Sequence, residues 1–298
     1  MEKLYENCNL CQRRCNINRY KQKGICGATD KLKIARAALH FWEEPCISGE
    51  NGSGTIFFSN CNLKCVYCQN HHISTGGFGE EITIERLSDI CLELQNKKAH
   101  NINLVTPTHY VPSIIKGIKK AKEQGLNIPI VYNTSTYETI ETIRILENIV
   151  DVYLPDLKYY DDNLAKKYSN IKDYFETATR NIREMYNQVG KPVFKDNIMQ
   201  KGIIVRILLL PEHLEDTKKI IKYLYDEYHD DIYISIMNQY TPIKKHKQFP
   251  NLNKKVEEKE YDELINYACD LGIKNAFIQE GETQSESFIP DFNLDGVR

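Results

Sequence analysis

Seven of the ten cysteines in this 298-residue chain fall in two short stretches. The run Cys61-Asn-Leu-Lys-Cys65-Val-Tyr-Cys68 packs three thiols into one loop, and Cys8, Cys11, Cys15 and Cys26 bring four more together near the start. Thiolates ligate zinc and iron–sulfur clusters. Three thiolates can hold three irons of a cubane and leave the fourth iron open to an exchangeable ligand. Four thiolates close a site and suit structure or electron transfer. A structural zinc site is the competing reading of the triad, because His71 and His72 follow Cys68 closely enough to supply a fourth ligand. For the N-terminal four, the spacing admits zinc or an auxiliary iron–sulfur cluster, with free thiols or a disulfide as the remaining alternatives. A bound metal there would supply folding energy to a segment with little core of its own.

Other residues have types suited to a site. Asp156 and Lys158 put a carboxylate and an ammonium side by side, which suits a zwitterionic ligand; a solvent-exposed ion pair is the alternative. Arg206 lies within an apolar run, where a charge is costly unless paired with a carboxylate of the protein or of a ligand. Asn133 and Ser135 can hydrogen-bond a ribose or cap a helix before Tyr137. His109 sits at a strand end and is the histidine best placed for a site. Cys91 and Cys269 read as small buried hydrophobes, and Cys46 lies beside Pro45 before the regular part of the chain.

These residues must be positioned by the elements around them. Short apolar runs predict strands at Thr55–Ser59, Ile102–Thr106, Ile128–Tyr132, Val150–Leu154, Ile203–Leu209 and Ile232–Met237, with a weaker one at Ala276–Ile278. Helical patterns lie between them at Thr83–Asn96, Pro112–Gln124, Tyr137–Glu147, Tyr174–Val189, Asp216–Tyr228 and Glu257–Leu271, with Gly125 and Gly272 at expected C-caps. The alternation predicts an α/β fold with a parallel sheet, about six units of a partial barrel. The triad then follows the first strand, at the end where such sheets build their sites. Residues 1–50 do not share the alternation and read as a Cys-rich metal-binding lobe. Residues 51–298 read as the barrel with a C-terminal extension, and Lys244–Lys259 as a surface loop.

Charge is nearly balanced, 39 basic against 41 acidic residues, so no general nucleic-acid or membrane-surface binding is expected. No apolar run is long enough to span a bilayer and the first residues do not form a secretory signal, so a cytoplasmic protein is expected. In a reducing compartment close cysteines are metal ligands before they are disulfides.

Cys-x3-Cys-x2-Cys after the first strand, with Tyr67 before the third cysteine, resembles the signature of the radical S-adenosylmethionine superfamily. Glu44-Pro-Cys-Ile-Ser-Gly, Gly52-Ser-Gly-Thr-Ile-Phe-Phe-Ser, Cys68-Gln-Asn-His, Asn101-Ile-Asn-Leu-Val-Thr-Pro-Thr-His, Ile236-Met-Asn-Gln-Tyr-Thr-Pro and the tail Ile289-Pro-Asp-Phe resemble the homologues of pyruvate formate-lyase activating enzyme. The resemblance implies a 4Fe-4S cluster on Cys61, Cys65 and Cys68, and S-adenosyl-L-methionine bound at its open iron. It also implies a 5′-deoxyadenosyl radical that abstracts hydrogen from a substrate, and a reductant partner such as flavodoxin or ferredoxin. By the same resemblance Tyr67, Asp156 and Lys158 belong to the cofactor site, with Asn133 and Arg206 as further candidates. The Gly-Gly-Glu that many members carry after the second strand is replaced here by Thr106-Pro-Thr-His109. Thr106, Thr108 and nearby carbonyls would then have to receive the cofactor amine. The implied substrate is a glycine of a partner protein. The same chemistry on a small molecule or RNA, and a non-catalytic metal-binding scaffold, are the alternatives.

Overall fold

The computed structural model describes residues 2–279 and 290–298, so Ile289 of the tail motif lies outside the described residues. Ten strands are formed among the described residues: β1 (Leu32–His40), β2 (Ser53–Phe58), β3 (Glu80–Ile82), β4 (Ile102–Val105), β5 (Ile130–Thr134), β6 (Val152–Pro155), β7 (Val193–Lys195), β8 (Ile198–Leu208), β9 (Tyr233–Met237) and β10 (Ala276–Ile278). They join in the order β10-β9-β8-β6-β5-β4-β2-β1-β3, with β7 attached to β8 off this path. Every pairing from β2 through β10 along that path is parallel. β1 runs antiparallel to β2 and β3, and β7 antiparallel to β8. The fold is thus a mixed α/β sheet with a parallel centre.

The parallel strands are buried on both faces, which is why they read as continuous apolar runs. Their alternation still sorts residues by face. Ile130, Tyr132, Tyr153, Ile203, Val205 and Ile207 join the large core under the helices. Val131, Val152, Leu154 and Ile204 point the other way, onto Cys46 and Ile47. The short helix Pro45–Ser48 therefore plugs the inner face of the sheet, and Cys46 is packing rather than chemistry.

The long helices Ile84–Asn96, Val111–Glu123, Tyr174–Val189, Leu214–Tyr228 and Glu258–Asp270 lie close to the expected patterns. The helix expected over Tyr137–Glu147 is shorter, Ile140–Arg144. Its first residues are taken by the N-terminal segment: Gln12 N–H donates to Tyr137 O (3.1 Å) and Thr139 N–H to Leu10 O (3.2 Å). The helix Asp162–Ser169, capped by the Asp161 side chain, was not expected.

Residues before 32 contain one helical turn, Lys3–Glu6, and pack a small core of Tyr5, Cys8 and Leu10. The sheet begins at β1, inside the segment expected to form the N-terminal lobe, so the division expected at residue 50 falls between two paired strands. β3 covers only Leu32–Ile34 of the β1 edge. Beyond it the chain's last residues take over, with Leu294 N–H donating to Ala35 O and Ala37 N–H to Asp295 O. Gly296 allows the approach: its φ is +68°, and a Cβ there would lie 2.0 Å from Ala37 O. No helix among the described residues is long and apolar enough to cross a membrane.

Candidate functional site

The ends of the parallel strands surround a cavity of about 310 Å³. Phe57, Val105, Asn133, Arg206, Ser235 and Phe277 come from six different strands and all line it. The sheet therefore curves around this space. Cys61, Cys65 and Cys68 form part of its wall, together with Tyr67, Thr106, Asp156 and Lys158. With Asn133 and Arg206, nine of the residues expected at the cofactor site face one cavity.

The triad loop is held from behind. Its sulfurs receive hydrogen bonds from the Leu63 amide onto Cys61 (3.4 Å), Ser74 Oγ onto Cys68 (3.3 Å) and Ser169 Oγ onto Cys65 (3.1 Å). Tyr159 OH lies 2.8 Å from both Ser169 Oγ and Tyr67 OH. The Tyr67 hydroxyl is thus spent on the protein, and its ring packs edge-on against Tyr159, Tyr168 and Tyr240. Burial, reinforced by the neighbouring thiols, pushes Cys61 up to about 12, and burial also raises Cys68. Binding metal here must displace protons. Hydrogen bonds onto the sulfurs are of the kind that tune thiolate-bound clusters.

The donor set fits a cluster: three sulfurs on one wall, with open space before them. No three His, Cys, Asp or Glu side chains among the described residues converge tightly enough for a single metal ion. A cubane distributes its ligands over several irons and needs no such convergence. His71 and His72 do not line the cavity, and His72 stacks on Phe78.

Arg206, lining the same cavity, organises a charged network. Its Nε donates to Asp156 (3.0 Å), Nη1 to Glu43 (3.1 Å) and Nη2 to Asn133 Oδ1 (2.6 Å). Lys158 Nζ lies 2.7 Å from the other Asp156 oxygen. Burial pushes Asp156 up, but Lys158 and Arg206 outweigh it and hold the carboxyl below its ordinary range. Burial pulls Lys158 down, and Asp156 and Cys65 more than offset it. The solvent-exposed ion pair considered from sequence is excluded, since both side chains are largely buried. Pro155 lacks an N–H, and the β6–β8 ladder resumes only at the Asp156–Arg206 bridge, which sets these two side by side.

Other expectations fare differently. Thr106 adopts φ +57°, a left-handed conformation that a β-branched residue enters only under strain. Thr108 donates to buried Glu138 (2.6 Å) and is off the cavity, so it is unavailable to a ligand there. Neither Asn133 nor Ser135 caps a helix; Thr139 precedes the one that follows. His109 is also off the cavity, with Nε2 2.8 Å from Ser59 O, and burial depresses it to about 3. Cys91 is fully buried as expected, whereas Cys269 is exposed, because its position falls on the outer side of the helix Glu258–Asp270. Glu43 and Glu44 were missed as site residues, since they lie at the end of what reads as the Cys-rich lobe and are placed at the site by the plug.

The N-terminal cysteines lie outside the cavity. Cys15 and Cys26 flank Gly24, where a Cβ would meet their sulfurs at 3.8 and 3.3 Å. Burial, with added repulsion from Cys26, Cys8 and Cys15, pushes Cys11 up to about 12. Arg19 is fully buried and donates to the carbonyls of His109 and Thr29. Burial pulls its guanidinium down, and the Cys26 thiol, the Tyr5 phenol and the Cys8 thiol outweigh that pull. Arg13, between Cys11 and Cys15, donates to Asn62 O (3.0 Å) and Leu63 O (3.2 Å) of the triad loop, and to Ser169 O and Asn170 O. It ties the two cysteine regions together.

Residues 55–224 match the radical SAM superfamily. An uncharacterized protein of Methanocaldococcus jannaschii is 30% identical over 274 residues, which cover 89% of this chain and 75% of that protein. Among solved structures, SuiB of Streptococcus suis bound to precursor peptide SuiA aligns with a TM-score of 0.54 at 13% identity, over 75% of this chain and 47% of that one. HydG, a maturase of the FeFe-hydrogenase, aligns with a TM-score of 0.51 at 12% identity, over 76% and 52%. The chain spans about half the length of these two, and at such identity they speak to fold alone. The family match, which spans more than half of the chain, carries the assignment: this chain is an enzyme of the radical SAM superfamily.

Proposed function

We propose that the chain cleaves S-adenosylmethionine at a 4Fe-4S cluster held by Cys61, Cys65 and Cys68. The observation that carries this reading is the placement of all three sulfurs on the cavity wall that also bears Asp156 and Lys158. When bound, the cluster supplies the electron that splits the sulfonium and yields a 5′-deoxyadenosyl radical for hydrogen abstraction. Lys158, fixed by Asp156, holds the carboxylate of the cofactor's amino-acid part. Asn133 offers its Nδ2 to the ribose, since its Oδ1 already accepts from Arg206. Thr106 contributes backbone and hydroxyl acceptors near the cofactor amine. Tyr67 and Leu63 close the wall beside the sulfurs and exclude water. We read the curved sheet as a partial barrel with a Cys-rich N-terminal lobe.

The N-terminal four complete a second metal site in this reading, iron–sulfur or zinc, and a single zinc ion would require their sulfurs to draw closer together than they lie here. A buried guanidinium beside the Cys26 and Cys8 thiols supports an anionic, metal-bound form of them. By resemblance to the homologues of pyruvate formate-lyase activating enzyme, the substrate is a protein or peptide glycine, with flavodoxin or ferredoxin as reductant. Anaerobic reconstitution with iron and sulfide, reduction, and addition of S-adenosylmethionine test the central claim. It predicts 5′-deoxyadenosine, and its complete absence from a reconstituted, reduced sample would sink the reading. Metal analysis of a Cys61/Cys65/Cys68 triple-Ala variant tests the second site: retained iron or stoichiometric zinc supports it, and neither metal overturns it.

A further inference from the structure

Among the described residues, the cavity carries one carboxyl group more than its cations account for. Lys158 and Arg206 are the cations on its wall, and Asp156, Glu43 and Glu44 are the carboxyls. His40 also faces it, but burial, aided by Arg36 and Arg206, depresses it to about 4, so it is neutral at pH 7. Asp156 is bridged by both cations. Glu43 accepts from Arg206 Nη1 on one oxygen and from Asn103 Nδ2 (2.9 Å) on the other. Glu44 differs from both. It is 8% exposed, and its Oε2 has no hydrogen-bond partner among the described residues. The three hydrogen bonds of Arg206 go to Asp156, Glu43 and Asn133, and none goes to Glu44.

A buried carboxyl oxygen without a donor is costly, and a ligand that donates to it removes the cost. Burial raises Glu44, and a cationic donor beside it acts in the opposite direction, toward the carboxylate. Position separates Glu44 from the cofactor contacts proposed above. Lys158 is within electrostatic reach of Cys65 and Cys68. The neighbours that act on Glu44 are instead Arg206, Glu43 and the Ser235 hydroxyl, and no cysteine of the triad is among them. The wall around it includes apolar Phe57, Leu208, Met237 and Phe277.

We infer that Glu44 anchors a cationic nitrogen of the substrate, an ammonium or guanidinium carried on an apolar chain. This rests on reading the cavity as the radical site. The cofactor has an ammonium of its own, and the test must separate the two sources.

Trp42 is the single tryptophan of the chain and lines the same cavity, so its fluorescence reports binding without turnover. n-Pentylamine and its neutral isostere 1-pentanol are titrated into the 298-residue chain, wild type, Glu44→Gln and Glu44→Met. S-adenosylmethionine is titrated separately into the reconstituted holoenzyme. Wild type is expected to prefer the amine at least tenfold, and both variants to lose about tenfold to a hundredfold in amine affinity, as for a charged hydrogen bond. That loss is expected to exceed any loss of S-adenosylmethionine affinity. Equal affinity of wild type for amine and alcohol overturns the inference without reference to the folding of any variant. So does a variant that keeps the amine preference but loses the cofactor, which would assign Glu44 to the cofactor's ammonium. If wild type binds neither probe yet forms 5′-deoxyadenosine, this inference falls and the reading of the site stands. If it binds the amine but forms none, the reverse holds.

Discussion

The two cysteine groups are built on opposite plans. Cys61, Cys65 and Cys68 sit between a strand end and the short helix His71–Ser74, with donors behind each sulfur and a cavity in front. Cys8, Cys11, Cys15 and Cys26 sit in turns with almost no regular structure, away from the cavity, beside a buried arginine. One group is open on the side where a small molecule can enter. The other is enclosed by its own backbone. Ligand number alone suggests that contrast, but the surroundings give its cause: the triad borrows rigidity from the sheet, and the N-terminal four have only one another, a small core and two arginines.

The harshest way to break the comparison is to remove one cysteine from each group. Cys65→Ala is expected to reduce 5′-deoxyadenosine formation below detection, while Cys11→Ala loses less than about tenfold, equivalent to ~1.4 kcal/mol. Equal losses in the two variants would mean that both groups serve one centre. Arg13→Ala removes the guanidinium that bonds four carbonyls across the two regions. Urea titration should register a loss of about 2–3 kcal/mol, allowing ~1 kcal/mol for each of the better-shielded bonds. No change in midpoint would show that the regions do not depend on each other.

The pH dependence sharpens the same point, because His109 stands between the regions. Its carbonyl accepts from Arg19 and its ring meets Ser59 O, just before the triad. Burial depresses it from 6.5 to about 3, so between those values the unfolded chain binds a proton that the native chain does not. Stability from this group is complete above pH 6.5 and is lost as pH falls below it. Between pH 7 and pH 5 the loss should be about 2 kcal/mol by denaturant unfolding, and His109→Gln should flatten that slope. An unchanged slope in the variant would remove His109 from the account. The smallest effect belongs to an exposed cysteine outside both groups: Cys269→Ser should shift stability by less than about 0.5 kcal/mol and leave metal content intact.

What could be read from sequence follows the same division. The parallel strands were legible because burial on both faces leaves unbroken apolar runs. β3 and β7 were not, being three residues long, with Glu80-Glu81-Ile82 mostly polar. β1 was absorbed into the Cys-rich segment, although Leu32, Ile34, Ala35 and Ala37 are its buried residues. The triad, Asp156 and Lys158 could be named because local spacing carries their meaning. Glu43 and Glu44 could not, because their importance comes from Arg206, 163 residues away from Glu43. The shortened helix near Tyr137 failed for the same reason, since its first turn is spent on backbone bonds to a segment far away in sequence.

The edge of β1 has a consequence for how the chain is made. Its last stretch is covered by residues near 294, and Arg36 of β1 meets Asp291 O across 255 residues. At translation rates of about 5–20 residues per second, that interval is roughly 13–50 seconds. For that time a nascent chain carries an open strand edge, the feature most prone to pairing with the wrong neighbour. The residues that close it also hold a latch: Arg86 binds the carbonyls of Gly296, Val297 and Arg298. Recombinant yield of this protein should therefore fall more on Arg86→Ala than on changes in any surface loop.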